Sequence, residues 1–154
     1  MHAAVGVTLY LDRRHGESLS EFKEALKLNP TDWWTHWHAG MPDQAIGNLD
    51  RALASYHRAY DLSGGNVAVL ALLAMAYGQT GRTEEAERYY GELMERSFRE
   101  HLPAAPTALA CAGTGRLAEA FDWLNRGLEE RSPLLLWTSC RCSTACAPIR
   151  ASSR

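Results

Sequence analysis

A single interval of 34 residues recurs along this 154-residue sequence. The small residues Ser18, Ala52, Ala86 and Ala120 stand at that spacing without a gap. A fixed period of about 20 to 50 residues indicates a stack of similar supersecondary units, because each unit buries its apolar face only against a neighbour. The sequence therefore predicts four similar units in one unbroken register.

Three further columns follow the same period. A bulky side chain comes four residues after each small residue, a smaller or apolar one comes three residues later, and another small residue lies earlier in each unit. These columns are Phe22, Tyr56, Tyr90 and Leu124; Ala25, Ala59, Leu93 and Gly127; and Gly6, Gly40, Ala74 and Ala108. Spacings of three and four residues place side chains on one face of a helix, and small residues let two helices cross closely.

Glycine recurs between the two helices of each unit, at Gly47, Gly81 and Gly115, and only Arg13 breaks the column. Glycine supplies the left-handed conformation that ends a helix. Each unit is therefore predicted to be a hairpin of two helices. The fold class is predicted to be all-α.

These columns resemble the tetratricopeptide repeat (TPR) pattern over about residues 1 to 134. The resemblance implies a right-handed α-α superhelix, or solenoid, of about four helical hairpins. The repeats would span about 1–32, 33–66, 67–100 and 101–134.

Two segments, 59–65 and 120–133, resemble more narrowly the TPR arrays that follow winged-helix regulators, adenylate cyclases or protein kinases in some bacterial proteins. This resemblance implies an alternative origin for the chain. It would be an orphaned C-terminal sensor or regulatory fragment of a larger bacterial signalling or transcriptional regulator.

The second repeat departs from the pattern at Pro42, about ten residues into its first helix. Proline removes a backbone donor and clashes with the preceding turn, at a cost of about 3 kcal/mol, so we expect a kink or a break there. Asp43 follows it, and its carboxylate should turn outward to stay hydrated. The same column holds the apolar Leu9, Tyr77 and Cys111 elsewhere. Either the bend shapes a groove, or the repeat is poorly maintained.

Residues 135–154 differ from the repeats in composition. From Thr138 to Arg154 there are six Ser or Thr, three Cys, three Arg and no acidic residue, so no apolar helical face can be drawn. The chain uses 14 Arg and 2 Lys, which suggests GC-rich coding. We interpret this segment as a degenerate tail, either disordered or translated in a shifted frame. A missing capping helix would leave the last repeat free to self-associate.

Charge and motifs argue against several functions. A formal net charge of −2 lacks the clustered cations that bind phosphates, so nucleic acid is not an expected partner. Neither a basic, apolar leader nor a run of 18 apolar residues occurs, so we expect a cytoplasmic protein without a membrane partner. None of the stronger catalytic motifs is met, and we expect neither an enzyme nor a cofactor.

A metal site is not expected either. Cys140, Cys142 and Cys146 crowd together, but structural zinc takes four ligands and no fourth lies nearby. Metal or redox chemistry in this tail is the third hypothesis for function.

Two other patterns are not expected to bind a ligand. The side chains of His36 and His38, two residues apart on a helix, point in divergent directions and cannot bind one metal ion together. The segment 113–118 has the letters of a dinucleotide fingerprint but joins two helices, so we interpret it as a turn.

The TPR resemblance also implies where a partner binds, because the first helix of each hairpin lines the concave side. The predicted peptide-binding groove consists of Trp34, Trp37, Met41, Gln44, Ala71, Met75, Gln79, Leu102 and Leu109, with Ala68 and Ala105 in the same columns. This set is largely apolar and aromatic, and none of its members is basic or Asn. We therefore predict a protein-interaction scaffold that binds an apolar peptide or helix rather than a C-terminal carboxylate. Alternatively, Trp34 and Trp37 pack against the neighbouring repeat.

Overall fold

The computed structural model describes residues 1–99 and 101–129 of the chain, a part that is mostly helical and contains no strand. Its helices are α1 (His2–Leu11), α2 (His15–Leu28), α3 (Trp33–Ala45), α4 (Leu49–Leu62), α5 (Val67–Gln79), α6 (Thr83–Ser97), α7 (Ala104–Gly113) and α8 (Leu117–Glu129). Each odd-numbered helix packs against the even-numbered helix that follows it. The prediction of an all-α fold built from helical hairpins is therefore confirmed. The predictions for residues 135–154, including those for the three clustered cysteines, concern a segment outside the described residues.

Each hairpin turns through one residue with a left-handed backbone. Gly47, Gly81 and Gly115 have φ angles of 84°, 74° and 79°. Arg13 takes the same place in the first hairpin, with a φ of 61°. The glycine column therefore marks the turns, including the one where glycine is replaced. The segment 113–118 is such a turn, as expected.

Helix α5 forms the centre of the core. Its ten residues from Ala68 to Tyr77 are all buried, and α4, α6 and α7 pack around it. A helix that is apolar on every side is stable only when neighbours cover every side. The Asn66 side chain caps its start by accepting hydrogen bonds from the backbone N–H groups of Ala68 at 2.9 Å and Val69 at 3.4 Å.

The hairpins join in two different ways. Helix α2 packs on α3 and α4 packs on α5, whereas α7 packs mainly on α5 and barely touches α6. Gly78 and Gly113 permit this last crossing, because a Cβ atom at either position would overlap the backbone of the opposite helix. Helix α7 therefore lies directly over Met75.

The second repeat corrects two expectations. Helix α3 is not broken at Pro42; it continues to Ala45, and the Ile46 N–H donates to the Pro42 carbonyl at 3.1 Å. Asp43 does not turn outward but is only 3% exposed. Its carboxylate accepts a hydrogen bond from Asn48 Nδ2 at 3.4 Å and lies 3.7 Å from Arg51 Nε. The turn after α3 and the start of α4 supply these partners, which replace the water that the carboxylate loses.

Candidate protein-binding surface

One face of α3 presents a row of large side chains to solvent. Trp34, Trp37, Met41 and Gln44, spaced three or four residues apart, are half-buried. Six of the seven residues between them on the helix are buried, namely Thr35, His38, Ala39, Gly40, Pro42 and Asp43, and His36 is half-buried. We call the four half-buried residues the α3 face. It is apolar at three of its four positions, which is unusual for a helix surface open to water.

The aromatic side chains of α3 are fixed by stacking on one another. The rings of Trp33 and Trp37 are stacked with centroids 6.0 Å apart, and those of Trp34 and His38 are stacked at 3.8 Å. The Trp37 ring also lies 4.7 Å from the His38 ring. The indoles therefore present a rigid surface, which lowers the entropy lost when a partner binds.

His38 supports this cluster from inside. Its Nδ1 donates a hydrogen bond to the Trp34 carbonyl at 2.8 Å, and burial lowers the pKa of the imidazole below its ordinary value. The ring is therefore mainly neutral at pH 7. Trp34 and Trp37 are each half-buried, because their rings pack within the structure while part of each side chain remains in contact with solvent.

Two glutamines connect the α3 face to α5. Gln44 Nε2 donates to Gln79 Oε1 at 2.7 Å, and the Tyr56 hydroxyl donates to Gln44 Oε1 at 2.6 Å. Gln79 is exposed. The row of hydrogen bonds holds the amide of Gln44 in one orientation and leaves polar groups of the pair accessible at the end of the apolar surface.

The other residues of the predicted groove lie elsewhere. Ala68, Ala71, Met75, Leu102 and Ala105 are buried, and Leu109 is half-buried. The physical reason at α5 is the close crossing of α7, which passes over Met75. The structure thus brings Gln79 beside the α3 face and encloses the small and apolar residues of the later repeats.

A cluster of aromatic and cationic side chains lies between α4, α5 and α6 and was missed by the sequence analysis. Tyr77 and Tyr89 are stacked 5.4 Å apart, and His57 Nε2 lies 2.6 Å from the Tyr77 hydroxyl. Arg82 and Arg88 each lie 4.7 Å from the centre of one of these rings. No column of the repeat contains this arrangement, so spacing alone gave no signal for it.

Hydrogen bonds between side chains join helices of the later repeats. Arg116 makes two hydrogen bonds of 2.8 Å to Glu87, and the Tyr90 hydroxyl donates to Glu119 at 2.7 Å. Between α4 and α6, Tyr60 donates to Glu92, and burial together with this bond raises the pKa of Tyr60 to about 12. Such pairs hold neighbouring repeats in register.

The described residues contain neither a cluster of metal ligands nor an apolar helix of membrane-spanning length. No group of three or more His, Cys, Asp or Glu side chains among them is placed to hold a metal ion. No helix in this part of the chain has the length and apolar character needed to cross a membrane.

Comparisons with known proteins agree on the fold. Residues 35–97 match the tetratricopeptide repeat family. A crystal structure of MamA, a TPR protein, superposes with a TM-score of 0.60 at 19% identity, over 84% of this chain and 76% of MamA. A second MamA crystal structure gives 0.59 at 18% identity, over 88% and 74%. No curated protein sequence is significantly similar. The likeness confirms the predicted helical solenoid, and TPR proteins in general bind other proteins.

Proposed function

Because residues 35–97 match the tetratricopeptide repeat family and the fold is a helical solenoid of the same kind, we propose that this chain is a scaffold that binds one helix or extended peptide of a partner protein on the α3 face and Gln79. The proposal is one of binding without catalysis. Its place in the cytoplasm and the absence of a nucleic-acid partner remain predictions from the sequence.

The observation that carries the proposal is the exposed apolar row on α3. Trp34, Trp37 and Met41 keep part of their surface in water, although Thr35, His38, Ala39 and Gly40 between them are buried. Rigid indoles bury a large area on binding at a small entropic cost, and a methionine adapts its shape to its neighbour. The row therefore supports a binding surface for an apolar side-chain pattern.

The chemistry of the row indicates the class of partner. The α3 face has no charged member, so a strongly charged peptide would lose hydration without gaining an ion pair there. Apolar residues at intervals of three or four along a partner helix would match the spacing of Trp34, Trp37 and Met41. The Gln44 and Gln79 amides can pair with polar groups at one end of that helix, which would fix its direction.

A selection from a displayed library of random peptides tests the proposal. We expect the wild-type chain to enrich peptides with apolar residues at helical spacing. Met41→Glu places a carboxylate in the row and should weaken binding of those peptides by tenfold or more, about 1.4 kcal/mol. Phe98→Glu is the matched control, because Phe98 is another exposed apolar residue far along the chain.

Fluorescence anisotropy of labelled peptides gives the affinities, and circular dichroism checks that both variants keep their helices. Loss of binding in the Met41 variant with wild-type binding in the Phe98 variant supports the α3 face. Equal binding to both variants and to the wild type, or no enriched peptide at all, contradicts it.

The second candidate function is that of a sensor or relay module of a larger regulator. The resemblance of segments 59–65 and 120–133 to TPR arrays of bacterial regulators favours it. The coding sequence upstream, in the same frame, tests it. An effector domain encoded there supports this origin, and the α3 face would then report its partner to that domain.

A further inference from the structure

Helix α1 exposes a face that the following repeats bury. Ala4, Val5 and Thr8 are exposed, with Val5 at 42%. Helix α1 has no Asp, Glu, Lys or Arg, and the Thr8 hydroxyl is already bonded to the Ala4 carbonyl at 3.0 Å. The exposed face is therefore almost entirely apolar in character.

The repeat period shows what normally covers this face. One period later stand His38, Ala39 and Pro42, and two periods later stand Leu72, Leu73 and Ala76, and all six are buried. Helix α3 packs on α2, and α5 packs on α4. In α3 and α5 this face is thus enclosed by the helices packed around it, which include the preceding second helix. Among the described residues, α1 has no such helix before it.

Helix α8 exposes the complementary face. Leu117, Phe121 and Leu128 are 61%, 66% and 65% exposed and form one stripe, because their spacing of four and seven residues keeps them on the same side. Two periods earlier, Leu53 occupies the column of Phe121 on α4 and is only 4% exposed, while Leu49 and Tyr60 in the columns of Leu117 and Leu128 are half-buried. At that column α4 is enclosed, whereas on α8 the column is open.

Both halves of the contact between repeats are therefore present and exposed on the same chain. We propose that copies of this protein associate head to tail, with the Leu117, Phe121 and Leu128 stripe of one copy packed on the Ala4, Val5 and Thr8 face of the next. The packing of α2 on α3 and of α4 on α5 is the template. Because the two faces differ, the contact is heterologous, so it joins copies into an open row or a ring rather than into a two-fold dimer.

Sedimentation velocity on the full 154-residue chain tests this arrangement. We expect the average mass to rise with concentration past twice the chain mass of 17.1 kDa, over a range of about 1 to 200 µM. Val5→Glu blocks one end and Phe121→Glu blocks the other, so each variant alone should remain monomeric. Phe98→Glu, at an exposed apolar residue outside both faces, should behave like the wild type.

Mixing the two blocked variants gives the decisive result. Each keeps one intact face, so an equimolar mixture should form a one-to-one dimer that grows no further. A monomeric wild type at every concentration overturns the proposal. A dimer abolished by Phe121→Glu but not by Val5→Glu overturns it in favour of pairing between two α8 helices.

Circular dichroism distinguishes loss of association from loss of the fold. Ala4→Glu and Leu128→Glu provide a second pair of variants at exposed positions on the same two faces. The second pair should reproduce the monomers and the mixed dimer. A mixture that stays monomeric in both pairs, while the wild type still associates, places the contact elsewhere and overturns the proposal.

Discussion

The ring of Tyr56 lies against the backbone of Gly40, in the space that a Cβ atom at position 40 would need. Such an atom would stand 2.8 Å from Cδ1 of the ring and closer still to Cε1. Gly6 has the same relationship to Phe22 one period earlier. The column that contains Gly6 and Gly40 and the column that contains Phe22 and Tyr56 are thus two sides of one contact, which lets the helices of a hairpin approach closely.

Gly40→Ala should therefore destabilise the protein. The added methyl group meets a fully buried ring that cannot move without opening a void, and overpacking of this kind costs about 1 to 3 kcal/mol. Urea unfolding followed by circular dichroism measures the loss.

The matched control is Gly91→Ala on α6, where a Cβ atom would meet no heavy atom within 4 Å outside its own helix backbone. That change should raise stability by about 0.5 to 1 kcal/mol, because alanine loses less backbone entropy in a helix than glycine does. Equal effects of the two changes would show that the contact with Tyr56 does not govern position 40.

Arg13→Gly should stabilise the first hairpin. Arg13 has a φ of 61°, in the region that costs a side-chain-bearing residue about 1 to 2 kcal/mol, whereas the other three turns use glycine. The greater entropy of glycine in the unfolded chain offsets part of this gain, leaving an increase of about 0.5 to 1 kcal/mol. The reverse change, Gly81→Arg, should lower stability by a similar amount. Thermal unfolding of both variants tests this, because the melting temperature should rise for Arg13→Gly and fall for Gly81→Arg.

The local parts of the fold were predictable from the sequence, and the crossing of the last two repeats was not. Hairpins and turns follow from residues at fixed spacing, and even the broken column at Arg13 kept its conformation. The contact between Gly78 and Gly113 joins residues 35 apart, one position out of the repeat register. Periodicity therefore could not show that α7 would lie across α5.

At the candidate site, too, the local arrangement was predictable from the sequence and the packing between distant helices was not. Sequence columns placed Trp34, Trp37 and Met41 together on one helix face, since that grouping depends only on helical spacing. They also assigned Ala71 and Met75 to a groove, but the burial of these two side chains depends on packing between helices that are distant in the sequence. Side-chain exposure at α5 thus required the tertiary structure.

Asp43→Leu should raise stability by about 1 kcal/mol. The carboxylate is buried with only a long hydrogen bond and a loose ion pair, and replacing such a group with an apolar one is often stabilising. The same column holds Leu9 and Tyr77, so a larger apolar residue suits the position. Urea unfolding of Asp43→Leu and Asp43→Asn separates charge from size. A gain for Asn with a loss for Leu would mean that the position lacks space.

Stability should fall as the pH is lowered from about 7.5 to 5.5, in part because of His38. Burial lowers the pKa of His38 in the folded protein, so the unfolded chain binds a proton at a higher pH, near the ordinary value of 6.5. The contribution of His38 is fully present above that pH and is lost as the pH falls through the lower folded pKa. His57 has the same sign, since burial also lowers its pKa.

His38→Asn isolates this contribution. The amide can keep the hydrogen bond to the Trp34 carbonyl but cannot take up a proton, so the dependence of unfolding free energy on pH should become shallower. The control is Trp37→Phe in the same aromatic cluster, which removes no titratable group and should keep the wild-type slope. Urea unfolding at several pH values measures the three slopes. If His38→Asn lowers stability by the same amount at every pH, protonation of the buried ring does not contribute, and the aromatic cluster beneath the α3 face is insensitive to acid.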